Sequence, residues 1–347
     1  MLEGAATYCD FVALTSHAHN PDAVAAQPQI IGEARATHPD LIVVNGLEWN
    51  TPTYELAAVL IPGGGDTMPL IDGLMAAYDR QVTKIEKSDS LFLEGLNYLA
   101  GKGSDDAVPG IILQHLHSAE DFGSVRSKAA FGSGIWIGIS AASRRHLMDD
   151  GTFISPWARE VGGVLDRLFA EGFRLTMVGE SDFHHHRTLD AHMGREWPGE
   201  FIQTFVYCPE KTESGLFAGL RAGSAYFVIA NIIQDLEWRA SAGNRWAMPG
   251  EEMVVPHGST ATVTVRCREN VPLESMELIG NPRGPIEVVA SSDGDPLERS
   301  KDETLWRVEL PQVTAPCFLR LRGHARAPAG EAEAAQFYAN PLWIRPD

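Results

Sequence analysis

DFVALTSHAHN, residues 10–20, runs from an apolar β-type stretch directly into two histidines, and its reading sets the fold class of the first half of the chain. Similar short apolar runs recur at residues 41–44 (LIVV), 110–113 (GIIL), 135–139 (IWIGI) and 174–178 (RLTMV), with helical stretches between them. Alternation of that kind predicts an α/β layer or barrel. The clearest helix signal begins at Ser155-Pro156, carries Val161, Val164, Leu165, Leu168 and Phe169 at spacings of three and four, and stops at Gly172. A second stop stands at Gly223, after Leu216 and Leu220, so the first domain is expected to cover residues 1–230.

Residues 231–347 follow another pattern. TVTVR (262–266), MELI (276–279), PIEVV (285–289), WRVEL (306–310) and FLRLR (318–322) alternate with turn-rich stretches such as NPRG (281–284) and SDGD (292–295). This predicts a second domain built as an antiparallel β-sandwich. The Ala/Glu-rich tract at 327–335 (APAGEAEAA) reads as a solvated loop.

Composition narrows the function classes. With 44% hydrophobic and 21% charged residues among 347, and 33 Gly and 21 Pro, the chain is globular and loop-rich rather than collagenous or disordered. Lys and Arg number 28 against 46 Asp and Glu, and the formal charge of -18 repels nucleic acid and anionic membranes, so neither is an expected partner. Cys9, Cys208, Cys267 and Cys317 are scattered without a CxxC pair and read as ordinary thiols. No apolar run approaches a membrane span and the N-terminal stretch lacks signal-peptide features, which makes a cytoplasmic location the expectation. Oligomeric state is left open.

Ten of the twelve histidines lie at or before His192. Four apolar runs end in groups that bind metals or protons: Thr15-Ser-His17-Ala-His19, Gly46-Leu-Glu48, Gln114-His115-Leu-His117 and Gly179-Glu-Ser-Asp182-Phe-His184. In a parallel barrel the C-terminal ends of the strands meet at one mouth, so separate strands can deliver such groups to one point. Imidazoles mixed with carboxylates suit zinc, manganese or iron better than calcium or magnesium. Such ions acidify water and clamp the oxygens of an ester, the basis of metal-assisted hydrolysis.

These stretches resemble the PHP (polymerase and histidinol phosphatase) metal-dependent hydrolases, in the branch that includes carbaryl-hydrolase-like proteins. DFVALTSHAHN looks like the family's DFIALTDHN motif and NGLEW like its glutamate motif; IILQHLHS is similar to its strand-plus-histidine motif, and MVGESDFH to its GSDAH signature. The resemblance covers roughly residues 8–230 and is most specific in SPWAREVGGVLDRLFAEGFRLTMVGESDFH. It implies a distorted seven-stranded (β/α) TIM-like barrel holding two or three divalent transition metals. It also implies ligation by His17, Glu48, His115, Asp182 and His184, with Glu48 bridging, and hydrolysis of a phosphate ester or of a related ester or carbamate. Glu48 and Asp182 become the catalytic candidates, with a small anionic ester as substrate.

The chain departs from that pattern twice. The family's first H-x-H motif has only sixteen residues of room before His17, and Ser16 replaces the aspartate of TDH. Three readings stay open: a shortened start of an active enzyme, an incomplete cluster in a non-catalytic binding protein, or His17-Ala-His19 serving as the H-x-H. The last has a geometric basis, since i and i+2 side chains of a strand point the same way, and it makes His19 a candidate ligand. His117 and Arg187 are candidate substrate-binding residues, Arg187 through its planar fork. His185 and His186 read as loop residues, Arg144-Arg145 as a surface pair, and Gly63-Gly-Gly-Asp66 as a turn without the GK[ST] ending of a phosphate loop. No GxSxG elbow is present.

Overall fold

A computed structural model describes residues 2–63, 67–102, 108–114, 130, 132–143, 153–183, 197–293, 297–300, 303–325 and 335–347. Helix α1 (Leu2–Tyr8) leads into strand β1 (Phe11–His17). Asn20 then starts α2 (Pro21–Thr37): its side-chain carbonyl accepts the Ala23 N–H at 3.3 Å, and Pro21 arrives with a helical φ. The helix buries Val24, Gln27, Ile31 and Ala34, spaced three and four apart, and returns the chain to β2 (Ile42–Asn50), parallel to β1 with His17 level with Glu48.

At this point the chain reverses without a helix. The turn of residues 51–55 lays β3 (Leu56–Ile61) antiparallel on β2, and β3 pairs antiparallel with β4 (Gly110–Gln114). Helices α3 (Met68–Tyr78), α4 (Arg80–Thr83) and α5 (Asp89–Ala100) lie between β3 and β4 in sequence. Beyond β4 come β5 (Trp136–Ser143), parallel to it, then α6 (Pro156–Arg159), α7 (Val164–Ala170) and β6 (Thr176–Glu180). The expected seven-stranded (β/α) barrel is therefore corrected to a six-stranded mixed sheet in the order β1-β2-β3-β4-β5-β6. The cause is LAAVLI, residues 56–61, a continuous apolar run that is not among the five runs the sequence marks as strands. A tight turn places it in mid-sheet, where a parallel barrel requires a helical crossover.

By compactness the chain divides into two units, Met1–Ser140 with Cys208–Arg221, and Ala141–Tyr207 with Ala222–Asp347. In the first unit, helices cover one face of the sheet. Leu47 and Trp49 are wholly buried there; Trp49 stacks on Phe92 of α5 at 5.7 Å and donates its Nε1–H to the Tyr78 carbonyl at 3.0 Å. Gly95 is needed where α5 crosses, because a Cβ would lie 2.8 Å from the Trp49 ring. Strand alternation puts His17, Glu48, Ala58 and Ile112, all level with one another, on the opposite face.

In the second unit, the single helix expected from Ser155 to Gly172 is two short ones, α6 and α7. Glu160 is already extended and Gly162 turns left-handed at φ 72°. Asp166 accepts the Gly162 N–H at 2.9 Å and, wholly buried, binds Arg320 through contacts of 2.6 and 3.0 Å. The break is thus held by a partner 154 residues away, which a helical periodicity does not register.

The remaining elements begin with β7 (Ile202–Val206), α8 (Glu213–Ala222), β8 (Ala225–Ile229), β9 (Ile233–Ala242), β10 (Arg245–Ala247) and β11 (Glu252–Val255). They continue with β12 (Thr262–Glu269), β13 (Leu273–Gly280), β14 (Glu287–Ser291), β15 (Glu298–Arg299), β16 (Thr304–Glu309), β17 (Cys317–Ala325) and β18 (Gln336–Pro346). The strands form two sheets, β10-β9-β12-β16-β15 and β14-β13-β17-β18-β8-β7, with β11 paired to β18. Trp238, Val263, Val265 and Trp306 of the first sheet and Met276, Leu278, Leu319 and Phe337 of the second close one apolar core. Asn340, with no exposure to water, ties β18 to its neighbours: its amide donates to the Met177 and Ala225 carbonyls at 3.1 and 2.9 Å and accepts the Met177 N–H at 2.6 Å. The tract at 327–335 lies outside the described residues except for Ala335. Among the described residues no helix is long and apolar enough to cross a membrane.

Replacing one member of the buried pair strands the other's charge, which typically costs about 3–5 kcal/mol. Arg320→Ala is expected to lose that much in urea unfolding, whereas a loss below about 1 kcal/mol would show that Asp166 is satisfied without its guanidinium.

Candidate metal centre

The last residue of β1 is His17, and its parallel neighbour on β2 is Glu48. Their side chains meet at 3.2 Å, Nδ1 to Oε1, with the carboxylate side chain only 6% exposed and the imidazole 32%. The strand pairing continues one step, as the Ala18 N–H donates to the Glu48 carbonyl at 3.0 Å, and a turn closes with the Asn20 N–H on the His17 carbonyl at 2.9 Å. That turn carries His19, exposed, with its ring centroid 4.8 Å from that of His17. The structure therefore brings together His17, His19 and Glu48, although His19 stands in the turn and not on the strand.

Behind the pair lies a residue absent from the sequence-based candidates. Gln27 of α2 is fully buried; its Oε1 accepts the Ser16 N–H at 2.7 Å, and its Nε2 donates to the Gly46 carbonyl at 2.9 Å and to Asn45 Oδ1 at 2.8 Å. Asn45 passes the chain of bonds on to Thr67. Ser16 precedes His17 and Gly46 stands two before Glu48, so one side chain fixes both strands beside the candidate ligands. The sequence does hold a trace of this, a glutamine in an apolar-face position between Val24 and Ile31. Gly46 shares the Glu48 face, and a Cβ there would run into the Val59 carbonyl and lie 2.9 Å from Thr15. Gln114, the buried last residue of β4, falls on that face too, level with Leu56 and Asn50, two residues beyond Glu48.

Asp182 belongs to the second unit, just past β6 and two residues after Glu180, with its backbone left-handed at φ 48°. His115, His117, His184 and Arg187 lie outside the described residues, as do His185, His186, Arg144 and Arg145. Of Gly63-Gly-Gly-Asp66 only Gly63 is described; its φ is 102° and its N–H is taken by the Glu213 carboxylate at 2.9 Å.

Two ligands bound at about 2.1 Å in tetrahedral geometry stand about 3.4 Å apart, so the His17–Glu48 separation fits a shared ion as well as a direct contact. A nitrogen and a carboxylate oxygen form the donor mix that zinc, manganese and iron accept. Among the described residues, no group of three or more His, Cys, Asp or Glu side chains is arranged to hold a metal. Thiolates do not fill the gap: burial pushes Cys9 up to about 11, and Cys267 and Cys317 up to about 12.

Two outcomes follow. Ellman's reagent at pH 8 is expected to find one reactive thiol in the native chain, the exposed Cys208, and all four after unfolding; prompt reaction of Cys9 near neutrality would contradict its raised pKa. At Asp182, asparagine adopts a left-handed backbone more readily than alanine, so Asp182→Ala should be less stable than Asp182→Asn by about 1 kcal/mol and melt lower. Equal melting of the two variants would mean that the backbone relaxes freely. No protein-family model and no curated protein matches this chain.

Proposed function

We propose that this chain is a metal-dependent hydrolase of a phosphate ester, or of a related ester or carbamate, and that His17 and Glu48 are two of the ligands of a divalent transition ion. The observation that carries the reading is the level pairing of His17 and Glu48 at adjacent parallel strand ends, with Nδ1 and Oε1 3.2 Å apart. A divalent ion there would polarise the ester oxygen and acidify water. Glu48 is buried near the end of β2 and turns its carboxylate toward the His17 ring. His17 presents Nδ1 on the same side, and exposed His19 follows in the adjoining turn with its ring 4.8 Å from that of His17. The Gln27 clamp holds both strands at their register, so the donors are set before any ion arrives. The resemblance to PHP hydrolases in DFVALTSHAHN and NGLEW supports the same reaction class.

A second reading has one observation in its favour. Protonated His17 would neutralise Glu48 at the same 3.2 Å with no ion, which is how a non-catalytic binding protein would use the pair. Metal content separates the two. After dialysis against metal-free buffer, elemental mass spectrometry of the untagged chain is expected to find at least one equivalent of zinc, manganese or iron, and Glu48→Gln and His17→Ala to lose it together with turnover of p-nitrophenyl phosphate or ester substrates. A metal-free native chain, or full metal and activity in Glu48→Gln, would remove the hydrolase reading.

A further inference from the structure

Tyr54 is a large aromatic side chain left 46% exposed at the tip of the β2–β3 turn, with its backbone in the left-handed region at φ 81°. A bulky residue in that conformation is a genuine outlier that glycine or asparagine would relieve. The turn that enforces it is over-determined. The Thr51 N–H donates to the Glu55 carbonyl at 3.0 Å, the Tyr54 N–H to the Thr51 carbonyl at 3.1 Å, and the Ser88 N–H to the Pro52 carbonyl at 3.0 Å. Asp79, wholly buried, accepts the Asn50 N–H and the Gln81 and Val82 N–H groups, each at 2.9 Å, which pins the start of α4 to the end of β2.

That arrangement sets two cations around the ring. The Arg80 guanidinium carbon lies 4.3 Å from the Tyr54 centroid and the Lys87 ammonium 6.0 Å from it. The Arg80 Nε–H is shut off from water and meets no acceptor, and no carboxylate among the described residues stands within ion-pair distance of Arg80 or Lys87. In a chain with 46 acidic residues and a net charge of -18, this puts two cations on one aromatic ring with no carboxylate among the described residues between them. Cation–π contact holds a guanidinium in place but leaves its donors unspent.

We infer that Tyr54, Arg80 and Lys87 form a binding site for a doubly charged oxyanion, the phosphate group of a small molecule. The two cations match a dianion, Arg80 supplies directed N–H donors, and Lys87 a second charge. The strained, exposed tyrosine is explained by its use as the ring that holds both cations in place. This site goes beyond the hydrolase reading and does not rest on it.

Calorimetric titration of the full chain with inorganic phosphate, at fixed ionic strength, tests the assignment. One site is expected, with Arg80→Ala and Lys87→Ala each weakening it about tenfold or more. Glu48→Gln should keep the site even where it abolishes metal binding, so failure of the metal reading leaves this one standing. Acetate is expected to bind several-fold more weakly than phosphate, and the reverse order would overturn the dianion assignment. Tyr54→Gly should melt a few degrees higher yet bind phosphate poorly, and this variant remains informative if Arg80→Ala does not fold. Phosphate affinity that is absent in the native chain, or unmoved in both Lys87→Ala and Tyr54→Gly, would overturn the proposal.

Discussion

Gln27 has no contact with water, so each polar atom of its amide must find a partner inside the protein or leave a buried dipole unsatisfied. It finds them on two different strands, the Ser16 N–H of β1 and the Gly46 carbonyl of β2, with Asn45 beside the latter. A slip of either strand by one residue would break these bonds and turn His17 or Glu48 toward the helix-covered face. The pairing of a histidine with a carboxylate at 3.2 Å is therefore a consequence of register, and the register is held from behind by one glutamine.

The same device recurs wherever the chain departs from a regular pattern. Asp79 holds the β2–β3 turn against the start of α4, Asp166 with Arg320 holds the break between α6 and α7, and Asn340 holds β18 to Met177 and Ala225. Apolar burial supplies the drive to collapse but tolerates many arrangements of similar area. Buried polar groups tolerate few, because a misplaced partner costs the full desolvation of the group left behind. They choose among packings that the apolar residues alone would leave nearly equivalent.

Much of the local structure was legible. The apolar run 41–44 overlaps the start of β2 and 110–113 falls within β4, Gly223 ends α8 at φ 78°, and alternation along TVTVR and WRVEL places Val263, Val265 and Trp306 in the core. His17 and Glu48 were legible as candidates by type and by nearness to an apolar run, although they stand on β1 and β2 themselves rather than beyond them. Illegible were β3, whose LAAVLI run has neither helical nor alternating period, and the break at Gly162, where a period of three and four continues straight through. Gln27 and Arg80 were passed over because their roles depend on strands and rings far from them in sequence, or on a backbone angle that no composition reveals.

The sequence by itself determined which residues are of metal-binding type, that β-type runs lie beside them, and that the formal charge is -18, because residue chemistry and net charge need no coordinates. Only the tertiary structure decided that the sheet is mixed and six-stranded, that His17 stands level with Glu48, and that Tyr54, with its left-handed backbone, meets Arg80 and Lys87. Those outcomes turn on strand direction, register and long-range hydrogen bonds. Their energies depend on which distant groups meet, and a local pattern carries no term for that.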